Sequence, residues 1–117
     1  MAKVLIADDS ALLLKIARAM LEKGGHTVVD APNGAVAVEK ARAEKPDLII
    51  LDAEMPVLGG LEALKTLKRD PSTRSIPVSI YSGHDAGGPE EAAFRAAGAA
   101  SVHSKPYTME SLLALVK

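Results

Sequence analysis

The sequence has no cysteine, almost no excess of charge of either sign and no long apolar run. The absence of cysteine excludes a disulfide framework and a thiolate zinc site, and is compatible with a reducing compartment. The chain has 14 Lys and Arg against 15 Asp and Glu, for a net charge of −1. This balance gives no long-range attraction to nucleic acid or to an anionic membrane, so we expect no direct nucleic acid binding.

The first apolar run spans only Val4 to Ala7 before two aspartates interrupt it. Such a run is too short for a signal peptide and far too short to span a bilayer. The 117 residues are 48% hydrophobic, which is enough for one core. We therefore expect a single cytoplasmic domain over residues 1–117, without membrane contact.

Strand-like and helix-like patterns alternate five times along the chain. This alternation predicts βα units and a parallel sheet that is buried on both faces. The first predicted helix ends at Gly24-Gly25, and the other four lie at about 34–44, 60–68, 90–97 and 109–116. The residues predicted to form the buried face of the first helix are Leu13, Ile16, Ala17, Met20 and Leu21.

Four of the predicted strands end in polar residues that suit phosphate or metal chemistry. Asp8-Asp9 follows the first strand, Asp52 the third, Ser82 the fourth and Lys105-Pro106 the fifth. In open α/β sheets ligands gather beyond the carboxyl ends of the strands, so we expect these residues to share one crevice. Three carboxylates repel each other unless a cation lies between them, and magnesium prefers such oxygen ligands. The pattern favours a magnesium and phosphoryl site.

Each of these residues has an individual role in that hypothesis. Asp52 is the nucleophile, because an Asp carboxylate can attack phosphorus to give an acyl phosphate. Lys105 offers a point charge for phosphate, and Ser82 one hydrogen bond to a phosphoryl oxygen. Taken singly, Asp8-Asp9 could instead cap the first helix, Asp52 could merely end its strand, and the other two could be ordinary turn or surface residues. The joint pattern favours the phosphoryl site.

The sequence resembles the receiver (CheY-like) domains of bacterial two-component response regulators over essentially its whole length. The motifs that carry the resemblance are Asp8-Asp9-Ser10, Asp52-Ala53-Glu54-Met55-Pro56, Gly59-Gly60, Ser82-Gly83, Gly98-Ala99 and Lys105-Pro106-Tyr107. The resemblance implies an α/β fold, a flavodoxin-like (βα)5 three-layer sandwich with a parallel five-stranded sheet of order 2-1-3-4-5.

The resemblance also implies a function, a phosphorylation-switched signalling domain of a two-component phosphorelay. Asp52 would accept the phosphoryl group from a histidine kinase or a histidine phosphotransfer protein. Mg²⁺ would be bound by Asp9, Asp52 and the main-chain carbonyl of Glu54, with Asp8 contributing through water. Such a domain would be no enzyme beyond catalysing its own phosphorylation and dephosphorylation.

Further details follow from the same resemblance. Ser82 and Lys105 would stabilise the phosphoryl oxygens, and the Lys105-Pro106 peptide bond would be cis. Val102 stands where receivers often carry an aromatic ring whose rotation reports phosphorylation. Glu54 and His84 occupy the positions that tune dephosphorylation in similar proteins.

Receivers commonly dock their phosphodonor on the first helix, where Leu12 and Leu14 lie off the predicted core face. We hypothesise that Ala11, Leu14 and Lys15 contact the donor. A downstream protein target would bind the face formed by the fourth helix, the fifth strand and the fifth helix.

Two other classes of function remain open at the level of sequence. One is a magnesium-dependent phosphohydrolase that uses Asp52 covalently, since strand-end aspartates also serve such enzymes. The other is a degenerate receiver that only binds proteins, or a flavin-binding relative of the same fold. Asp8-Asp9 speaks against flavin, because two carboxylates would repel the flavin phosphate.

Overall fold

The computed structural model describes residues 2–55, 57–83 and 89–116, with the backbone alone at Pro89 and Glu90. Pro56 and His84 lie outside the described residues. Strands and helices alternate as the sequence pattern predicts, in the order β1 Lys3–Ala7, α1 Ala11–Lys23, β2 Thr27–Ala31, α2 Gly34–Glu44, β3 Leu48–Asp52, α3 Gly60–Arg69, β4 Val78–Ser82, α4 Pro89–Ala96, β5 Ser101–Ser104 and α5 Met109–Leu115.

The five strands form one parallel sheet of order β2-β1-β3-β4-β5. The predicted fold class and strand order are therefore confirmed. All five residues of β3 and all five of β4 are buried, which explains why these strands read as nearly continuous apolar runs. The parallel arrangement brings the carboxyl ends of β1, β3 and β4 to one edge of the sheet.

The helices cover the two faces of the sheet and enclose two separate hydrophobic clusters. One cluster contains side chains of α2, α3 and α4, and we call this side the aliphatic face. Its buried helical members are Ala37, Val38, Ala41, Ala63, Leu64, Leu67 and Phe94. The other cluster contains side chains of α1 and α5 together with both tyrosines, and we call it the tyrosine face. Its members include Leu14, Ala17, Leu21, Tyr81, Tyr107 and Leu112.

The buried side of α1 differs from the prediction. Leu14 is only 9% exposed and packs in the tyrosine-face cluster with Ala17 and Leu21, whereas Ile16 is 38% exposed. The buried stripe thus follows the i, i+3, i+7 spacing from Leu14. Placing Leu14 off the core face was wrong, as was placing Ile16 on it. A phosphodonor cannot contact the Leu14 side chain without disturbing the core.

The start of α1 also decides between two roles for the first acidic pair. The helix is capped by Ser10, whose Oγ accepts a hydrogen bond from the Leu13 N–H at 3.2 Å. The interpretation of Asp8-Asp9 as the cap of this helix is therefore wrong. Both aspartates precede the cap, at the carboxyl end of β1.

The loop between β3 and α3 approaches the end of β3 so closely that it requires glycine. A Cβ atom on Gly60 would lie 2.4 Å from the Asp52 carbonyl oxygen. Backbone hydrogen bonding holds the same approach, since the Gly60 N–H donates to the Ala53 carbonyl at 3.2 Å. In the same loop Val57 has φ of 69°, a left-handed conformation that β-branched residues rarely adopt. The start of α3 is thus fixed against Asp52.

Candidate phosphoryl-transfer and metal site

Three chemically active side chains meet at the carboxyl edge of the sheet. Asp8 follows β1, Asp52 ends β3 and Lys105 follows β5. The Lys105 Nζ lies 2.9 Å from Asp8 Oδ2 and 3.2 Å from Asp52 Oδ2. Both carboxylates are buried and the lysine is partly buried. The ammonium therefore bridges two carboxylates that solvent hardly reaches.

Asp9 adds a third carboxylate at the rim of this pair. One carboxylate oxygen each of Asp8, Asp9 and Asp52 lie within 4.8 Å of one another, and Asp9 is the exposed member. The backbone of Glu54 is adjacent, since its N–H donates to Asp52 Oδ1 at 3.2 Å. Oxygen ligands at this spacing, open to solvent on one side, match what a hard divalent cation with retained waters needs.

The charges at the site are unbalanced. Burial raises the pKa of Asp52 to about 6, and the negative charge of Asp8 adds to the rise. Burial acts to raise the pKa of Asp8 as well, but the Ser10 N–H at 2.9 Å holds it below its ordinary value. Lys105 and Tyr107 act on Asp8 in the same direction. One ammonium therefore faces two buried carboxylates, and the excess negative charge favours a cation.

For Lys105, the two neighbouring carboxylates have a larger effect on the pKa than burial has. Burial acts to lower it, yet the hydrogen bond to Asp8 and the charge of Asp52 outweigh burial and raise it. Lys105 is consequently a fixed positive charge at any physiological pH.

Ser82 ends β4 at the same edge of the sheet and is buried. Its neighbour Tyr81 is the residue that pairs in register with Asp52. The Ser82 carbonyl oxygen accepts a hydrogen bond from the Lys105 N–H at 2.8 Å. The end of β4 therefore fixes the backbone that follows β5. The Lys105-Pro106 bond is cis, as the resemblance implies.

Tyr107 is a residue of this site whose role sequence reasoning missed. Its hydroxyl donates to Asp8 Oδ2 at 2.8 Å, and the ring is buried against that of Tyr81, with centroids 4.7 Å apart. Burial, together with the charge of Asp8, raises the pKa of Tyr107 above its usual range, so the hydroxyl stays a donor. The signal available in the sequence was the tyrosine itself, since the hydroxyl of a buried tyrosine needs a hydrogen-bond partner.

The three α1 residues predicted to contact the phosphodonor do not all lie on the surface. Ala11 and Lys15 are exposed on α1, while Leu14 is buried.

Val102 is 8% exposed and packs on the aliphatic face. Within the described part of the chain, none of the helices has the length and apolar character to cross a membrane.

Comparisons with known proteins agree with this architecture. The model of the response regulator receiver domain family matches residues 4–117. Protein PilH of Pseudomonas aeruginosa is 46% identical over 85 residues, which cover 73% of this chain and 70% of PilH. The polar-differentiation response regulator DivK of Brucella anthropi is 34% identical over 114 residues, covering 97% of this chain and 92% of DivK. The structure of chemotaxis protein CheY4 of Vibrio cholerae superposes with a TM-score of 0.91 at 32% identity, covering 99% of this chain and 96% of CheY4.

Proposed function

This chain belongs to the response regulator receiver domain family, and on that premise we propose that Asp52 accepts a phosphoryl group from a phosphohistidine. The donor is a histidine kinase or a histidine phosphotransfer protein. The observation that carries the proposal is the Asp52 carboxylate at the end of β3 with the Lys105 ammonium 3.2 Å away. We further propose that residues 1–117 form one such domain in the cytoplasm, and that it catalyses only its own phosphorylation and dephosphorylation.

The transfer step needs few participants. An Asp52 carboxylate oxygen forms a bond to phosphorus while the bond from phosphorus to the donor's imidazole nitrogen breaks. The electron pair of the broken bond stays on the imidazole, and the product on Asp52 is an acyl phosphate. Attack of water on that phosphorus later returns the carboxylate and inorganic phosphate. Such steps depend on positioning and charge stabilisation more than on covalent help from the protein.

Lys105 and Ser82 are our candidates for stabilising the transferred group. Lys105 already bridges to Asp52, so a short movement of its ammonium would reach an oxygen on the phosphorus. The Ser82 hydroxyl can donate one hydrogen bond from the end of β4. The backbone bond from Lys105 N–H to the Ser82 carbonyl supports their acting together.

We assign Mg²⁺ as the cation, with Asp9, Asp52 and the main-chain carbonyl of Glu54 as ligands and Asp8 contributing through water. The supporting observation is the charge conflict between Asp8 and Asp52, which adds to the rise that burial causes in the pKa of Asp52. A divalent ion removes that conflict, and magnesium prefers one or two carboxylates with several waters. When bound, the ion supplies positive charge that stabilises the phosphoryl oxygens.

For donor docking we retain α1 but revise its residues. Leu12 is 67% exposed and Ile16 is 38% exposed, four positions apart on one side of the helix. Together with exposed Ala11 and Lys15 they form an apolar strip with one positive charge. We propose that Leu12 and Ile16 take the place of Leu14 in contacting the donor, because Leu14 is in the core.

Leu12→Asp tests this docking strip. It should lower the rate of transfer from a phosphohistidine donor protein at least tenfold, because it buries a charge at the contact. Phosphorylation by acetyl phosphate should be unchanged, since that small donor needs no protein contact. Ala43→Asp, on the exposed side of α2, is the matched control. Equal transfer rates for Leu12→Asp and the control would contradict the assignment of α1.

The downstream target, we propose, binds the surface formed by α4, β5 and α5. In support, β5 is an edge strand of the sheet, and α4 and α5 flank it on opposite faces. Val102 has no ring to rotate, so the phosphorylation signal must reach this surface through other side chains.

Incubation with acetyl phosphate and Mg²⁺, followed by intact mass measurement, tests the proposed function. The wild type should gain one phosphoryl group, and Asp52→Asn and a sample with EDTA should gain none. Absence of the adduct in the wild type with Mg²⁺ would overturn the proposal. Rapid turnover of unrelated phosphomonoesters would instead support the phosphohydrolase.

A further inference from the structure

The buried carboxylate of Asp8 is held by three donors of different kinds. Its Oδ1 accepts the Ser10 N–H at 2.9 Å, and its Oδ2 accepts both the Lys105 ammonium at 2.9 Å and the Tyr107 hydroxyl at 2.8 Å. Asp8 is fully buried, so each donor replaces a water that the carboxylate would otherwise bind. The backbone N–H and the ammonium are explained by the helix start and by charge. The phenol needs its own explanation.

Tyr107 is fixed in place more firmly than a surface hydroxyl would be. Tyr107 is 5% exposed, and its ring packs at 51° against the ring of Tyr81. Tyr81 is itself fully buried, stacks on His103 at 5.1 Å between centroids, and its hydroxyl hydrogen-bonds the Ser111 Oγ on α5. Rigid packing of this kind aims the Tyr107 hydroxyl at Asp8 in one direction.

Lys105, by contrast, is shared. Its Nζ is within 3.2 Å of both Asp8 and Asp52, so it can serve a phosphoryl group on Asp52 only by loosening its bond to Asp8. At that moment Asp8 Oδ2 would lose its charged partner although the Asp8 side chain is fully buried, which is costly for a carboxylate. The Tyr107 hydroxyl donates to the same oxygen at 2.8 Å and carries no charge that a phosphoryl group would attract, so it stays bonded to Asp8.

We propose that Tyr107 is a positioning residue of the phosphorylation site, holding the Asp8 carboxylate in its cation-binding orientation while Lys105 turns to the phosphoryl group. The proposal rests on the proposed function for the identity of the cation and of the transferred group. It extends that function to the tyrosine face, since Tyr107 is held by Tyr81, which reaches α5. Partners that orient ligating carboxylates commonly change metal affinity ten- to a hundredfold when removed.

The two tyrosines allow a matched experiment. Tyr107→Phe removes the hydroxyl that bonds Asp8, and Tyr81→Phe removes the neighbouring hydroxyl, which bonds Ser111. Both variants keep their rings and their packing. Mg²⁺ affinity is measured by calorimetry for both variants and the wild type, and phosphorylation by acetyl phosphate is followed across Mg²⁺ concentrations.

Tyr107→Phe should raise the Mg²⁺ dissociation constant roughly tenfold, and Tyr81→Phe should leave it within about twofold. The Mg²⁺ concentration for half-maximal phosphorylation should shift equally, while the rate at saturating Mg²⁺ stays within about twofold. Equal affinities in the two variants would overturn the role of Tyr107, as would a wild type that binds no Mg²⁺. If the wild type binds Mg²⁺ but forms no phosphoryl adduct, the proposed function fails, and the affinity comparison still decides the role of Tyr107.

A spectroscopic measurement covers the case in which Tyr107→Phe does not fold. The chain has no tryptophan and two tyrosines, so in Tyr81→Phe the tyrosine emission comes from Tyr107 alone. That emission should change as Mg²⁺ saturates the site, because the hydroxyl bonds the carboxylate involved. Constant emission through saturation would contradict the proposal.

Discussion

The face of the sheet that α2, α3 and α4 cover is packed with aliphatic side chains and Phe94, whereas the face that α1 and α5 cover contains both tyrosines. Aliphatic packing is non-directional, so it stabilises the fold without specifying where a polar group points. The tyrosine hydroxyls are directional, and one of them ends on Asp8. We infer from this contrast that the aliphatic face stabilises the fold that holds the site, while the tyrosine face orients the Asp8 carboxylate.

The largest expected effect comes from the aliphatic face. Leu64 on α3 is fully buried, and Leu64→Ala should lower the free energy of unfolding by about 2–5 kcal/mol through lost burial and a residual cavity. Urea unfolding in EDTA measures this loss. The Mg²⁺ affinity of the folded variant should stay within about twofold of the wild type. A tenfold loss of affinity would erase the distinction between the two faces.

A smaller effect, of opposite sign, is expected at the site itself. Asp52→Asn should stabilise the metal-free protein at pH 7.5 by about 1–3 kcal/mol, because it removes a buried charge whose pKa of about 6 exceeds its unfolded value. Between about pH 4 and 6 the folded wild type keeps a proton that the unfolded chain has lost. The contribution of Asp52 to the free energy of unfolding therefore falls as pH rises through this window. The gain from Asp52→Asn correspondingly disappears near pH 4.

Urea unfolding at several pH values in EDTA checks the Asp52 prediction. Glu39→Gln, at an exposed position on α2, is the matched control for loss of one negative charge. A gain that is the same at pH 4 and pH 7.5, or that equals the gain of the control, would contradict the buried charge conflict.

The smallest effect is expected in the loop that joins β3 to α3. Val57 is 83% exposed with φ of 69°, so Val57→Asn should stabilise the protein by about 1 kcal/mol, since Asn tolerates this conformation. Val57→Ala removes the branched side chain but stays strained, and it should gain less. Thermal unfolding of the two variants compares them. An equal gain would show that backbone strain is not the cause.

Much of the fold could be predicted from local patterns. The end of the first helix at Gly24-Gly25 and the approximate bounds of the other four helices follow from turn chemistry and hydrophobic periodicity in the sequence. The order of the strands came from the family resemblance and is confirmed. In a parallel sheet, polar residues that follow the strands lie at the same, carboxyl end of the sheet. Asp8, Asp52 and Lys105 could therefore be grouped from the sequence.

The register of α1 could not be predicted in the same way. Apolar residues at 12, 13, 14, 16 and 17 surround the helix, so more than one face satisfies the 3.6-residue period. Packing against β1 and α5 chooses the stripe through Leu14, Ala17 and Leu21. Local hydrophobicity contains no information on that choice.

The contact between Tyr107 and Asp8 was also beyond the sequence. The two residues are 99 positions apart, and the bond depends on the rotamer of a ring held by Tyr81. Motif spacing identifies which residues reach the edge of the sheet. It does not identify which hydroxyl points at which carboxylate oxygen.

The central claim is that Asp52 carries the phosphoryl group, and chemical trapping tests it most directly. After phosphorylation by acetyl phosphate with Mg²⁺, borohydride reduces an acyl phosphate of aspartate to homoserine, which peptide mass spectrometry can locate. We predict homoserine at position 52 in the sample with Mg²⁺ and aspartate there in the sample with EDTA. Homoserine at Asp8 or Asp9, or unmodified aspartate at position 52 in both samples, would contradict the account.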